Sequence, residues 1–278
     1  MRTHALRYEN LSGSAFPRPA EEFLIASRNR RWDRETRLSV AAGASDGELT
    51  ARARTDRETA GEARIVALPQ PTVLTMALTD VVSARRSVRT FTGDPLALAD
   101  LATIVRHSAS ITAQGEVDLE SGARVRMGFR ASPSGGALFP IQTWVAALRV
   151  AGLPRTVYRY RPHEDALSPL PDPGEDLADR LCTALDVQDG AIDVGSVGAM
   201  LLWVARPWRS MRKYGARGMR LVLQECGAHA LSAALAATAA GLGFVDFSGF
   251  YDDEANQILG LDGLHATLLH LAMIGASR

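Results

Sequence analysis

Lysine is almost missing from this chain. Of its 278 residues, 31 are Lys or Arg, and every one except Lys213 is arginine. Cysteine is nearly as scarce. Cys182 and Cys226 cannot form a disulfide framework or a cysteine-only zinc site, and both sit in apolar helical context, as buried thiols do. There is no charge excess either, because 31 Asp plus Glu cancel the 31 basic residues. That excludes the basic footprint of a nucleic-acid binder and gives no attraction to an anionic membrane surface. No apolar run reaches the ~18 residues that span a bilayer. The first residues, MRTHALRYENLSG, lack the apolar stretch of a secretory signal, so a reduced, cytoplasmic setting is expected. HExxH, a nucleophile elbow, a P-loop and GxGxxG are all missing, which leaves zinc, serine-hydrolase and P-loop chemistry unsupported.

What is present is ordinary globular material: 46% hydrophobic and 22% charged residues, enough for one large core or two smaller ones. Residues 1 to about 40 mix Arg, aromatic and Pro residues without clear periodicity. Ala41 to Ala63 is small, polar and charged, and is expected to be flexible or marginally ordered. From there the patterning improves. IVALP reads as a short extended piece and TVLTMALTDVVSAR as an amphipathic helix. RSVRTFTGDP reads as a loop, and PLALADLATIVRHSAS as a helix with Pro95 near its first turn.

Residues 112–126 read as an exposed loop or hairpin, and TWVAALRV as an apolar strand. TVYRYRP and ALSPL form an antiparallel hairpin, DLADRLCTAL a helix and AMLLWVA a strand. A single long helix is predicted from Lys213 to Leu242, stopped by GLG and buried, in part against a second subunit. FVDFSGF is a short strand or loop, DDEANQILGL an acid-capped helix, and ATLLHLAMIGA a buried final strand. Helices and strands mix without βαβ alternation, so the fold class is α+β.

Three clusters have chemical potential. Arg85-Arg86-Ser87-Val88-Arg89 offers guanidiniums and a hydroxyl that can clamp a phosphate by charge-assisted bonds, or else form a solvated basic patch. Ser132-Pro133-Ser134-Gly135-Gly136 lets backbone approach a planar ligand, or else makes a tight turn before a strand. Arg212-Lys213-Tyr214-Gly215-Ala216-Arg217 puts the one lysine beside a tyrosine. A phenol holds its proton to about pH 10, but a neighbouring cation favours the phenolate and makes it a plausible base. The plainer alternative is a charged helix start with Tyr as a surface anchor. A coding bias from Lys to Arg accounts for the other basic residues, and Arg cannot replace Lys where a proton must be exchanged. The six histidines are scattered, and His229 and His270 lie in apolar surroundings where a hydrogen-bonded core histidine is the common outcome.

In order along the chain, ARRSVRTFTGDPLALADLATIVRHS, RASPSGGALFP, RKYGARGMRLVLQECGAHALSAALAATAAGLG and GFYDDEANQILGLDG resemble the nitroreductase-like flavoprotein superfamily. Within it the Lys-Tyr pair followed by Gly-x-Arg resembles the SagB-type azoline dehydrogenases. The resemblance covers residues 64–278 and leaves residues 1–63 as an extension for peptide or partner recognition, with 112–126 shaping substrate access.

It implies an α+β homodimer with a mainly antiparallel central sheet and FMN held between two protomers. Arg85, Arg86, Ser87 and Arg89 would then hold the FMN phosphate and ribityl chain. Pro133, Ser134, Gly135 and Gly136 would pack on the isoalloxazine, Ser248 and Gly249 would lie near its N5 edge, and Arg278 would add a phosphate-binding cation. The implied reaction oxidises thiazolines or oxazolines in a ribosomally made precursor peptide to azoles, with Tyr214 as base, Lys213 steadying charge and dioxygen reoxidising the flavin. A cyclodehydratase is the implied partner. An NAD(P)H-dependent nitro or quinone reductase and a non-catalytic FMN-binding scaffold subunit remain the alternatives.

Overall fold

The computed structural model describes residues 18–30, 34–45, 65–118, 122, 124–171, 177–187 and 191–277. In chain order the helices are α1 (Arg18–Ala26), α2 (Arg34–Ser45), α3 (Leu78–Ala84), α4 (Leu98–Ala109), α5 (Leu177–Thr183), α6 (Trp208–Tyr214), α7 (Arg217–Ala239) and α8 (Asp252–Ile258). The strands are β1 (Val66–Ala67), β2 (Ile111–Asp118), β3 (Arg124–Arg130), β4 (Ile141–Ala147), β5 (Val157–Arg161), β6 (Ala166–Pro169), β7 (Ala199–Ala205), β8 (Gly243–Phe247) and β9 (Thr267–Gly275).

Seven of these strands form one sheet in the order β1-β6-β5-β4-β7-β9-β8, and β2 and β3 form a separate hairpin. All the ladders pair antiparallel. The most apolar runs of the sequence occupy the middle: every residue of β4 and β7 is buried. A strand covered on both faces has no reason to alternate apolar and polar residues. One face packs against α4 and α7 through Leu101, Ile104, Val105, Val222 and Ala233, with Trp203 from the sheet. The other packs against α5 and α8 through Leu181, Ala255 and Leu259, with Trp144 and Leu202. This is the α+β architecture with a mainly antiparallel sheet and flanking helices.

Three expectations need correction. Residues 72–77 are not helical, and α3 starts only at Leu78. The Thr72 amide donates to Thr103 Oγ1 and its hydroxyl to Asp100, which holds the segment extended along α4. Likewise α4 begins at Leu98, three residues past Pro95, because Leu96 bridges to Val150. The long helix from Lys213 to Leu242 is two helices. Gly215, at φ 56° and ψ −148°, ends α6, and α7 begins at Arg217. That backbone region is essentially open only to glycine. The two helices touch at the corner, where a β-carbon on Gly218 would lie 2.7 Å from Met211 N.

The N-terminal region also differs from its reading. Residues 18–26 and 34–45 are helical, so Ala41 to Ser45 is ordered, while 46–63 lie outside the described residues.

Candidate active site

Antiparallel register brings distant loops to one end of the sheet. Ile141 at the start of β4 pairs with Ala205 at the end of β7, and Ala205 with Thr267 at the start of β9. Phe247, the last residue of β8, pairs with Leu271. The turn 132–140, the helix α6 and the Ser248-Gly249 segment therefore all leave the sheet at the same end.

There the two motifs meet directly. Gly136 has φ 68°, and a β-carbon on it would lie 2.4 Å from Tyr214 Oη. Lys213 Nζ stands 5.5 Å from the centre of the Tyr214 ring. The Lys-Tyr pair occupies the last turn of α6, not a helix start, so Arg212 and Lys213 complement the negative end of that helix. Gly135 is as tightly bounded, since a β-carbon there would lie 2.8 Å from Leu221 Cδ1. Both glycines are thus packed against side chains of the α6–α7 corner, which leaves no room for a β-carbon at either position.

The arginine loop lies elsewhere, along the outer edge of β8. The Val88 amide donates to Phe244 O and the Thr92 amide to Ala276 O, both at 2.9 Å. Arg86, Ser87 and Arg89 are exposed and Arg85 is half-buried. Arg86 Nη1 donates to the carbonyls of Ser83 and Arg85 at 2.8 Å. Arg278 lies outside the described residues. From Phe244 to Ser248 is four residues, or roughly 13 Å at about 3.3 Å per residue. Exposed guanidiniums at one end and a glycine turn packed on a tyrosine at the other suit an elongated ligand with a phosphate and a flat ring. The donor set fits FMN.

Beside Ser248, which the sequence reading placed in the site, Asp246 and His270 escaped that reading. Ser248 Oγ lies 3.0 Å from His270 Nδ1, and His270 Nε2 lies 3.1 Å from Asp246 Oδ1. His270 is stacked on Trp203 at 5.5 Å and is part-exposed, so it is not a core histidine. Asp and Ser two residues apart on a strand share a face, but their meeting with His270 depends on the β8–β9 register.

Under the turn, Ser132 Oγ donates to Ser108 O at 2.7 Å, and Ser108 Oγ contacts the ring and carbonyl of His229. His229 is fully buried and held neutral: burial first, then Arg130, push its pKa down to about 3. Glu225, one turn earlier on α7, is buried too. Burial pushes its carboxyl up to about 7, against the lowering effect of bonds from Ser134 and the Ile141 amide. The thiols behave as expected of inert groups. Cys226 is buried, Cys182 half-buried, and burial raises them to about 12 and 11.

The N-terminal helices lie over the same corner. Ser39 Oγ donates to Arg212 O at 2.9 Å. Arg220 Nε donates to Ser27 Oγ at 2.7 Å, and its guanidinium covers Phe23 at 5.9 Å. Among the described residues no His/Cys/Asp/Glu group is arranged to hold a metal ion, and no helix is long and apolar enough to cross a membrane.

Residues 82–275 match the nitroreductase family. This chain belongs to the nitroreductase family. It is 32% identical over 189 residues to a Methanocaldococcus jannaschii protein classed by name as a nitroreductase, a match spanning 68% of this chain and 87% of that protein. Among solved structures, a nitroreductase-type protein from Ralstonia eutropha matches with TM-score 0.60 and 23% identity, over 77% of this chain and 90% of its own. A chain of the Escherichia coli microcin synthetase McbBCD complex, with truncated pro-MccB17 bound, matches with TM-score 0.58 and 21% identity. That match covers 95% of this chain and all of its counterpart. As a member of this family the protein is an oxidoreductase, and nitroreductase-family proteins typically bind FMN.

Proposed function

We propose that this nitroreductase-family protein is an FMN-dependent azoline dehydrogenase, acting on thiazoline or oxazoline rings of a ribosomally made precursor peptide. The observation that carries the reading is the Lys213–Tyr214 pair, isolated on its own short helix with the Tyr214 hydroxyl against Gly136. A reductase fed by NAD(P)H has no need of a tyrosine base there, whereas ring oxidation must take a proton and a hydride from adjacent carbons. The fold match to the microcin synthetase chain over 95% of this chain supports the same reading.

Arg85, Arg86, Ser87 and Arg89 hold the phosphate and ribityl chain, with Arg278 as a further cation. Pro133, Ser134, Gly135 and Gly136 lie against the ring system, and Ser248 and Gly249 against its reactive edge. FMN, when bound, accepts the hydride. Tyr214 Oη, as phenolate, takes the proton from the neighbouring carbon, and the electron pair left behind completes the new ring double bond. The Lys213 ammonium, 5.5 Å from the Tyr214 ring, steadies the phenolate charge. Two protomers pair across α7, whose outer face carries the exposed Leu223 and Leu231. Helices α1 and α2 contribute to recognition of the peptide or of a cyclodehydratase.

The test is mass spectrometry of a synthetic azoline peptide incubated with protein and FMN. The peptide is expected to lose two hydrogens per ring, and the purified protein to be yellow. A protein that takes up no FMN refutes the proposal. The M. jannaschii relative's name favours the alternative of an NAD(P)H-dependent nitro or quinone reductase, which rapid bleaching of the flavin by NAD(P)H would support. Retained FMN without turnover of any azoline points instead to a scaffold subunit.

A further inference from the structure

The backbone of the turn is bent into a conformation it would not choose. Next to Gly136, Ala137 and Phe139 have φ of 50° and 47°, in the left-handed region that costs free energy for any residue with a β-carbon. Such strain persists only where the surroundings over-determine it, and it collects at functional sites.

What holds it is a part-buried polar hub contributed by three elements. From β3, Arg130 Nη1 donates to Ile141 O at 3.1 Å while its guanidinium lies 4.8 Å over the Phe139 ring. From α6, Arg209 Nη1 donates to Phe139 O at 3.0 Å. From α7, Glu225 Oε1 accepts from the Ile141 amide at 3.4 Å and takes a further bond from the Ser134 hydroxyl. Ser134 Oγ in turn accepts from the Phe139 amide at 2.9 Å. Phe139 is thus held through both its amide and its carbonyl, and Ile141 through both of its own, while the Ala137 amide donates to Ser134 O at 3.0 Å within the turn. Arg209 also sits five residues before Tyr214 on the same short helix, tying the turn to the helix that carries the phenol.

A buried acid is an expensive way to secure a turn. Glu225 is 2% exposed, its Oε2 has no hydrogen-bond partner, His229 Nε2 at 3.9 Å is neutral, and only the charges of Arg130 and Arg209 offset its burial from the cationic side. An apolar residue at that helix position would pack with less loss but could not reach the Ile141 amide and Ser134 together.

We infer that Glu225, with Arg130 and Arg209, is a positioning clamp that keeps the strained turn 134–141 pressed against the Tyr214 hydroxyl. None of the three touches the reacting atoms; they act through the turn. The inference rests on the proposed base role of Tyr214 for its catalytic meaning, but its geometry does not depend on that role.

The test uses the full chain labelled with tyrosine carrying 13C at Cζ, the Tyr214 resonance being assigned by its loss in Tyr214→Phe. Glu225→Ala is expected to move or broaden that resonance, with and without FMN, and to lower kcat on an azoline peptide roughly ten- to a hundredfold with little change in KM. Glu225→Gln keeps an acceptor oxygen and is expected to recover most of both losses. Should Glu225→Ala fail to fold, Arg209→Met, at a half-buried site, carries the same expectation for the resonance. An unmoved Tyr214 resonance in the folded variant overturns the clamp, because a merely structural role lowers stability without changing the phenol's surroundings. A wild-type protein inactive on azolines would refute the proposed function and leave the resonance test standing.

Discussion

Two sets of arginines flank the candidate site and are used in opposite ways. Arg86 and Arg89 stand exposed on a loop along the edge of β8, where a phosphate can reach them. Arg130 and Arg209 are half-buried and spend their donors on the carbonyls of Ile141 and Phe139. In a chain with so many arginines, abundance at a site says little; Arg86 bonds carbonyls within its own exposed stretch, at Ser83 and Arg85, whereas Arg130 and Arg209 tie down a different segment. The proposed ligand takes the first set, and the geometry of Tyr214 depends on the second.

The largest expected effect lies between the two. Tyr214→Phe keeps the ring against Gly136 and the outward arginines intact, so FMN should remain bound while azoline turnover falls a hundredfold or more, the usual scale of a lost general base. Lys213→Ala should behave alike, and full activity in both variants refutes the assigned roles. Next comes the outward set. Arg86→Ala with Arg89→Ala should weaken FMN binding roughly ten- to a hundredfold, as expected from lost charge-assisted bonds, while leaving the melting temperature of the FMN-free protein unchanged. A matching loss of stability would make these arginines structural and erase the contrast.

The inward set is probed by pH. Burial raises the Glu225 carboxyl from 4.5 to about 7, so in this range the folded protein holds a proton that the unfolded chain has released. Stability from this group is full below about pH 4.5 and is lost as pH rises through about 7, a swing on the order of 2–3 kcal/mol. His229, pushed down to about 3, acts oppositely: its contribution is present above about 6.5 and lost as pH falls. Urea denaturation from pH 5 to 8 should therefore show wild type losing stability relative to Glu225→Gln. Parallel curves would mean the carboxyl does not titrate there.

The smallest effect separates strain from contact. Gly136 and Gly152 both have positive φ, at 68° and 75°, but a β-carbon on Gly152 meets nothing within 4 Å. Gly152→Ala should cost about 1 kcal/mol for backbone conformation alone. Gly136→Ala should cost on the order of 1 kcal/mol more, and should also displace the Tyr214 hydroxyl. Equal costs would mean the turn yields without disturbing the phenol.

Much of this fold was legible. AMLLWVA, the VYRYR–ALSP hairpin and the acid-rich start of α8 each carry a local pattern that tertiary packing confirms. The break at Gly215 was not, because RKYGARG is bounded by good helix formers and nothing local demands ψ −148° at its glycine. Nor were α1 and α2: α1 is a short amphipathic helix of nine residues and α2 carries only Leu38 and Val40 as large apolar residues. In the site, the glycine turn and the Lys-Tyr pair were visible as motifs, but their contact arises from the β4–β7 register. Glu225 read as one acid in a helix of alanines, and Asp246 and His270 are joined only by pairing across 24 residues of sequence.

Anaerobic single turnover tests the central claim most directly. FMN-loaded protein mixed with an azoline peptide should bleach as the flavin is reduced and the ring oxidised, while the Tyr214→Phe protein under the same conditions should stay yellow. A wild-type protein that bleaches with NAD(P)H and is untouched by the azoline would contradict the account.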